Sequence, residues 1–180
     1  MTNIKDNLIW LDLEMTGLEP ERHVILEIGC VVTDSNLNML AEGPVFAIQH
    51  PESILTTMDP WSQEQHGKSG LTERCRASKV SLAQAEEKTL EFLKKHGAEK
   101  ASPLCGNSIG QDRRFLYQYM PRLNDFFHYR NVDVSTLKEL FRRWYPKAAQ
   151  APEKKKTHYV LDDIRDSIEE LRHYRRTIFK

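Results

Sequence analysis

Two carboxylates near the start of the chain have the spacing of a metal site. Asp12 and Glu14 are separated by one residue in the otherwise apolar run 8–14. Side chains of a β-strand alternate between its two faces, so both carboxylates would share one face of a predicted strand. Two like charges on a buried strand require a neutralising partner. Because hard divalent cations bind carboxylate oxygens, the pair predicts a metal site.

A third carboxylate, Asp112, follows a tight turn that leads from a predicted strand into a predicted helix. Ser108 and Gln111 have the spacing of a capping box, which would place Asp112 in the first turn of the helix or just beyond it. The helix dipole stabilises an ionised carboxylate at that position. An N-terminal helix acid with a structural role is the alternative for an isolated aspartate.

A histidine and an aspartate near the end of the chain extend the candidate chemistry. Asp163 falls in the first turn of a predicted helix, and His158 lies in the loop just before it. A histidine beside a metal held by carboxylates can act as a general base, because its pKa lies near neutral pH. Asp162 is an alternative to Asp163 as the ligand, and we assign Asp163. Taken alone, a histidine such as His158 is more often a surface loop residue.

The elements that must position these residues are strands followed by helices. Three strands joined by short connections predict an antiparallel meander, and short strands then alternate with helices. The expected strands cover about residues 7–14, 24–32, 40–49, 102–105 and 131–134. The expected helices cover about residues 81–97, 109–120, 136–145 and 160–178, the third opening with a Thr136–Glu139 capping box. This order predicts an α/β fold, a mixed sheet flanked by helices, in one domain over residues 1–180.

Composition and charge favour a cytoplasmic globular protein. No apolar run is long enough to span a membrane, and residues 1–6 lack the features of a signal peptide. The three cysteines have no metal-ligand spacing and are expected to be reduced thiols. Residues 1–64 have a charge balance of −9, whereas residues 113–156 have a balance of +7. An acidic half for metal and a basic segment for phosphate would fit this pattern, as would two solvated faces.

The three motifs, taken in order, resemble one enzyme superfamily. They are Asp-x-Glu-x-Thr-Gly-Leu at 12–18, Asn-x-x-x-x-Asp at 107–112 and His-x-x-x-x-Asp at 158–163. This combination resembles the histidine-containing branch of the DEDD 3′→5′ exonucleases. Residues 10–18, 105–109 and 129–136 are similar to the oligoribonuclease family, and the likeness extends over nearly the whole chain. The resemblance implies a ribonuclease H-like exonuclease fold. Val160 stands where the branch usually has alanine, and we expect a packing adjustment there.

The resemblance also implies a reaction and its machinery. Asp12, Glu14, Asp112 and Asp163 would hold two Mg²⁺ or Mn²⁺ ions, and His158 would be the general base. The substrates would be short RNA oligonucleotides, dinucleotides in particular, hydrolysed to nucleoside 5′-monophosphates. A DNA exonuclease or a polymerase proofreading subunit shares the four carboxylates. The match over the whole chain, especially at residues 129–130 and 135–136, argues against that alternative. An inactive binding module would not require the full set of five side chains.

Further residues acquire substrate roles by the same resemblance. Leu18 would wedge between two bases, Trp61 would stack on one of them, and His66 would lie near the 3′ nucleotide. The 5′ phosphate would be bound by Ser108, Arg130, Ser135 and Thr136. A homodimer is implied, with Tyr129 and Arg130 reaching the partner's site.

Several of these residues have plainer interpretations. Trp61 fits a packing aromatic, His66 fits a solvent-facing histidine, and the hydroxyl residues fit helix caps. Glu27, inside a predicted buried strand, is assigned to a structural ion pair. The run 154–156, Lys-Lys-Lys, is assigned to a solvated loop.

Overall fold

A mixed six-stranded sheet organises the chain. The computed structural model describes residues 4–147 and 159–179. The strands are β1 (Leu8–Met15), β2 (Ile25–Thr33), β3 (Met39–Glu42), β4 (Phe46–Ala47), β5 (Leu104–Gly106) and β6 (Asn131–Asp133). They lie in the order β3-β2-β1-β5-β6, and β4 also pairs with β2. The strands β1, β2 and β3 are antiparallel neighbours, whereas β5 and β6 continue the sheet in parallel. The predicted α/β class and the antiparallel meander are confirmed.

Eight α-helices occur within the described ranges. They are α1 (Glu52–Leu55), α2 (Pro60–Lys68), α3 (Leu71–Ala77), α4 (Leu82–His96), α5 (Ile109–Tyr119), α6 (Pro121–Phe126), α7 (Val134–Trp144) and α8 (Val160–Thr177). The predictions of α4, α5, α7 and α8 are confirmed, because each has an apolar stripe at helical spacing. Among the described residues, no helix has the length and apolar character needed to cross a membrane.

The alternation of side chains along β1 explains where its carboxylates point. Leu11 and Leu13 are buried in a core cluster with residues of α4, α5 and α6. Trp10 points the other way, into a cluster with residues of α7 and α8. Asp12 and Glu14 share the alternation of Trp10, so they lie on the face that α8 covers.

The third predicted strand, residues 40–49, is wrong as a single element. The structure has β3 and β4 instead, separated at Gly43 and Pro44. Pro44 has no N–H to donate to a sheet ladder. A Cβ on Gly43 would lie 2.4 Å from Cys30 Sγ, so the backbone passes closer to β2 than a side chain would allow.

The helices between residues 52 and 77 were not expected from hydrophobic periodicity. The sequence of α2 is mostly polar, so its pattern contains no apolar stripe. A different signal marks its start, because Asp59 followed by Pro60 is typical of an N-cap and a first helical residue. The Asp59 carboxylate accepts hydrogen bonds from the backbone N–H groups of Trp61 and Ser62, both at 3.0 Å.

Two predicted helix caps are wrong. The Ser108–Gln111 capping box does not form, because Ser108 adopts a left-handed conformation with φ of 52° and its side chain makes no capping hydrogen bond. The helix α7 begins before Thr136, because the Asp133 carboxylate caps it by accepting a hydrogen bond from the Ser135 N–H at 2.9 Å. The hydroxyls of Ser108 and Ser135 therefore have other partners.

Two predictions fall on residues that lie outside the described ranges. These are the general base, His158, and the basic loop that contains Lys154, Lys155 and Lys156.

Candidate active site

Three carboxylates meet where the end of β1 faces the start of α8. Asp12, Glu14 and Asp163 each offer an oxygen, and these oxygens lie within 4.8 Å of one another. All three are partly buried. Oxygen donors of this charge and spacing are the ligand set that hard divalent cations prefer. The cluster fits a divalent metal, as the spacing of Asp12 and Glu14 predicts.

A glycine lets α8 approach closely enough to bring Asp163 to the sheet. Gly29 in β2 is the register partner of Asp12. A Cβ on Gly29 would lie 2.4 Å from Cγ1 of Val160, the first residue of α8. The valine side chain therefore occupies the space that a residue larger than glycine would fill. This contact is the packing that accommodates Val160.

The cluster is electrostatically unfavourable without a cation. Burial, followed by the charges of Asp163, Glu27 and Asp112, raises the pKa of Glu14 from its usual 4.5 to about 8. A bound divalent cation would reverse this effect, because it favours the ionised form of every carboxylate around it.

Asp112 is buried beside β1 rather than inside the three-carboxylate cluster. The pairing of β1 with β5 covers Ile9 and Trp10, so the Leu13 N–H lies beyond it. Asp112 Oδ1 accepts a hydrogen bond from that N–H at 3.0 Å. Burial raises the pKa of Asp112 to about 7, although the Leu13 hydrogen bond acts in the opposite direction. Its predicted role as a fourth metal ligand stays a prediction.

The fifth carboxylate of this region, Glu27, forms the ion pair that was predicted for it. Glu27 is the register partner of Glu14 on β2 and is almost fully buried. Arg74 Nη2 in α3 lies 2.9 Å from Glu27 Oε1. The Arg74 guanidinium also lies 5.4 Å from the centre of the Tyr159 ring, just before α8. The positive charge of Arg74 thus partly offsets the repulsion that Glu27 exerts on Glu14.

Arg74→Ala should destabilise the protein by about 3 kcal/mol, because it leaves the Glu27 carboxylate buried without its counter-charge. Urea denaturation at neutral pH measures this loss. Arg76→Ala is the matched control, since Arg76 lies on the same helix and pairs with the exposed Glu52 and Glu73. The control should lose much less stability, because exposed ion pairs contribute little. Equal losses in the two variants would contradict a special role for the buried pair.

A cavity of about 670 Å³ opens over the carboxylates. Leu18, Trp61 and His66 line it together with Asp12, Glu14 and Asp163. Leu18 is 67% exposed and Trp61 is 59% exposed, so both present apolar surface to the cavity rather than to the core. An open cleft with carboxylates at its base and apolar groups at its mouth is suited to a phosphodiester with bases on either side.

His66 is held inside this cavity and is only 1% exposed, so its interpretation as a solvent-facing histidine is wrong. Its Nε2 lies 2.8 Å from the Met15 carbonyl oxygen. A carbonyl can only accept, so Nε2 donates the proton and Nδ1 is the nitrogen that faces Glu14 Oε2, at 3.8 Å. The imidazole thus links β1 to α2 at the edge of the carboxylate cluster.

The loop that carries Leu18 is held by α5. Gln111 Nε2 donates to the Leu18 carbonyl. Tyr119 Oη lies 2.7 Å from the carbonyl oxygens of both Pro20 and His23. Leu18 is therefore exposed on a loop whose backbone is fixed, which suits a wedge.

The residues predicted to bind a 5′ phosphate are only partly assembled. Ser108 and Ser135 meet, with 3.0 Å between their Oγ atoms. Thr136 and Arg130 are exposed on the surface. Arg130 stacks on its neighbour Tyr129, with its guanidinium 5.1 Å from the centre of the ring. Tyr129 is 72% exposed and does not line the cavity of its own chain, and its role in a partner's site stays a prediction.

Some residues around the site were not singled out by sequence reasoning. Asn107 lines the cavity, and its amide contacts α7 and α8. Asp59 and His23 also line the cavity, and Arg74 pairs with Glu27 beside Glu14. The Asp59-Pro60 pair is typical of a helix start and indicates α2 from the sequence alone. Nothing in the local sequence of Arg74 indicates a buried partner 47 residues away.

Comparisons with known proteins identify the family of this chain. The exonuclease family matches residues 9–171. The oligoribonuclease of Pseudomonas aeruginosa is 63% identical over 169 residues, covering 94% of this chain and 94% of that protein. The oligoribonuclease of Marinobacter nauticus is 61% identical over 175 residues, covering 97% of each chain.

A solved structure supports the fold. The zinc-bound complex of E. coli exonuclease I with single-stranded DNA has a TM-score of 0.75 and 15% identity to this chain. The likeness covers 95% of this chain and 40% of that longer one, so the chain spans less than half of exonuclease I. The implied ribonuclease H-like exonuclease fold is confirmed. From its sequence and its fold, the chain belongs to the exonuclease family and, within it, to the oligoribonucleases.

Proposed function

We propose that this chain hydrolyses short oligoribonucleotides, dinucleotides in particular, from the 3′ end to nucleoside 5′-monophosphates, with two Mg²⁺ or Mn²⁺ ions per site. The observation that supports it most is the cluster of Asp12, Glu14 and Asp163 at the base of a cavity that Leu18 and Trp61 flank. Family membership supports the reaction class, and the high identity to oligoribonucleases supports a short RNA substrate.

The reaction is an in-line displacement at phosphorus. Water forms a bond to the last phosphodiester phosphorus, and the bond from phosphorus to the preceding O3′ breaks. His158 takes the proton from the attacking water, and the departing O3′ takes a proton from solvent. Divalent ions, when bound, stabilise the charge on the attacking and leaving oxygens. In this proposal Asp12, Glu14, Asp112 and Asp163 hold the ions.

Two groups of side chains position the substrate in this proposal. Leu18 separates the two bases and Trp61 stacks on one of them, which tolerates any base because each has a π-face. The 5′ phosphate is bound by Ser108, Arg130, Ser135 and Thr136. A closed pocket for this phosphate selects substrates by length, because it excludes long chains. Tyr129 and Arg130 act on the partner's site in a homodimer, and sedimentation under assay conditions tests that assembly. We also infer a cytoplasmic location, which is consistent with three buried free thiols.

The experiment is incubation with 5′-phosphorylated RNA of graded length in Mg²⁺ or Mn²⁺, with products followed over time. Rapid loss of dinucleotides supports the proposal, and their accumulation contradicts it. A DNA series of the same lengths serves as the comparison, because the solved neighbour binds single-stranded DNA. Arg130→Ala should lose the preference for dinucleotides over long RNA. If Arg130→Ala and the wild type cleave dinucleotides and long RNA in the same ratio, length selection by the phosphate pocket is wrong.

A further inference from the structure

A buried carboxylate behind the site has no role in the reaction above. Glu170 lies two helical turns after Asp163 on α8 and is only 4% exposed. Its oxygens accept hydrogen bonds from Tyr174 Oη at 2.8 Å and from Asn107 Nδ2 at 3.1 Å. Lys138 Nζ of α7 lies 3.8 Å away. A carboxylate is expensive to bury, so this arrangement calls for a function beyond packing.

Asn107 connects this carboxylate to the start of α7 and to the part of α8 that carries Asp163. Its Nδ2 also donates to Ser167 Oγ at 2.8 Å, and Ser167 Oγ donates to the backbone carbonyl of Asp163. Its Oδ1 accepts from Ser135 Oγ at 3.1 Å. One amide thus spans the loop after β5, the start of α7 and the helix that carries Asp163.

The charge on Glu170 determines which way this amide faces. An ionised carboxylate can only accept hydrogen bonds, so the NH₂ end of Asn107 must point toward Glu170. The carbonyl end of Asn107 then points toward Ser135. A glutamine at position 170 could donate as well as accept, and both orientations of the Asn107 amide would become available.

The orientation of Asn107 also fixes the directions of the hydrogen bonds at Ser135 and Ser108, two of the residues proposed to bind the 5′ phosphate. Ser135 has one hydroxyl proton and donates it to Asn107, so Ser135 Oγ acts as an acceptor for Ser108 N–H at 2.8 Å. The Ser108 hydroxyl, 3.0 Å away, must then donate to Ser135. The Ser135 proton is already donated to Asn107. Ser108 is therefore the residue of the pair that can redirect its hydroxyl proton from Ser135 to a bound phosphate.

We propose that Glu170 is a positioning residue that, through Asn107, sets the direction of the hydrogen bonds in the 5′-phosphate pocket and the distance from that pocket to Asp163. The proposal rests on the proposed function, because it concerns how that site measures a short substrate. Glu170 does not line the cavity over the carboxylates, so it acts through Asn107.

The test compares a dinucleotide with a 5′ phosphate and the same dinucleotide with a 5′ hydroxyl. Glu170→Gln should lower kcat/KM on the phosphorylated substrate by about tenfold. This is the effect typical of residues that orient a ligand-binding side chain without contacting the ligand. It should leave kcat/KM on the 5′-hydroxyl substrate nearly unchanged. Calorimetric binding of both dinucleotides in chelator should show the same selective loss without turnover. Parallel losses on both substrates would overturn the proposal.

Glu86→Gln is the matched control. Glu86, in α4, is also buried, and it accepts a hydrogen bond from the Leu123 N–H at 3.1 Å. Its ratio between the two substrates should equal that of the wild type. If Glu170→Gln does not fold, Ser108→Ala and Ser135→Ala decide the question. Ser108→Ala should lose more of the phosphate effect, and an equal or reversed order would overturn the hydrogen-bond direction. A wild type that cleaves neither dinucleotide would instead refute the proposed function.

Discussion

Asp163→Asn is expected to lower kcat for RNA hydrolysis by about a thousandfold or more, because several kcal/mol of transition-state stabilisation depend on the metal and each 1.4 kcal/mol is a factor of ten. The oxygens of Asp163, Asp12 and Glu14 lie within 4.8 Å of one another, so a neutral amide at position 163 removes one charged ligand. The rate of nucleotide release in Mg²⁺ or Mn²⁺ measures the effect.

Asp162→Asn is the matched control on the same turn of α8. Asp162 is partly exposed and pairs with Arg165 at 3.1 Å, and it is not a member of the carboxylate cluster. This variant should keep near wild-type activity. Thermal unfolding without metal separates lost chemistry from lost structure, because Asp163→Asn removes a repulsive charge and should not lower stability. If the Asp162 variant were the inactive one, the assignment of the ligand would be reversed.

The parts of the site that the sequence predicts are those that depend on strand and helix periodicity. Alternation along β1 places Asp12 and Glu14 on one face, and the apolar stripe of α8 determines which face of that helix packs on the sheet. These two local rules are enough to expect Asp163 near the pair once α8 covers that face. The distance between them depends on Gly29, whose missing side chain admits Val160.

The parts that the sequence does not predict depend on contacts between distant residues. Ser108 has the spacing of a helix cap, but the Asp133 carboxylate and the Ser135 hydroxyl hold its N–H, 25 and 27 residues away. Asp112 falls in the helix as expected, yet its orientation follows from the Leu13 N–H, which lies beyond the end of the β1–β5 ladder. Local spacing carries no information about either partner.

In the metal-free protein, raising the pH from about 5 to about 8 is expected to lower the free energy of unfolding. Glu14 has a pKa of about 8 in the folded protein against 4.5 as its usual value. Between these values the folded state retains a proton that the unfolded state has released, so stability falls as the pH rises. Each pKa unit corresponds to about 1.4 kcal/mol, which makes the loss on the order of 4 kcal/mol. Asp112, with a pKa of about 7, acts in the same direction.

Saturating Mg²⁺ or Mn²⁺ should remove most of this loss, because a cation stabilises the ionised carboxylates that burial and mutual repulsion disfavour. The increase in Tm on adding metal should therefore grow with pH and reach about 10 °C near pH 8 for a chain of this size. Thermal unfolding in chelator and in metal, from pH 5 to pH 8, measures both slopes.

Glu14→Gln isolates the contribution of this one carboxyl, because every other titrating group is common to the variant and the wild type. The variant has no proton to release at position 14, so its metal-free stability should fall less steeply between pH 5 and pH 8. A neutral side chain there also lowers the charge that faces Asp163 and Asp12, so the variant should gain less from metal at pH 8. A metal-free wild type whose slope matches that of Glu14→Gln would show that the cluster is already neutralised from within the protein, and the electrostatic case for a metal would fail.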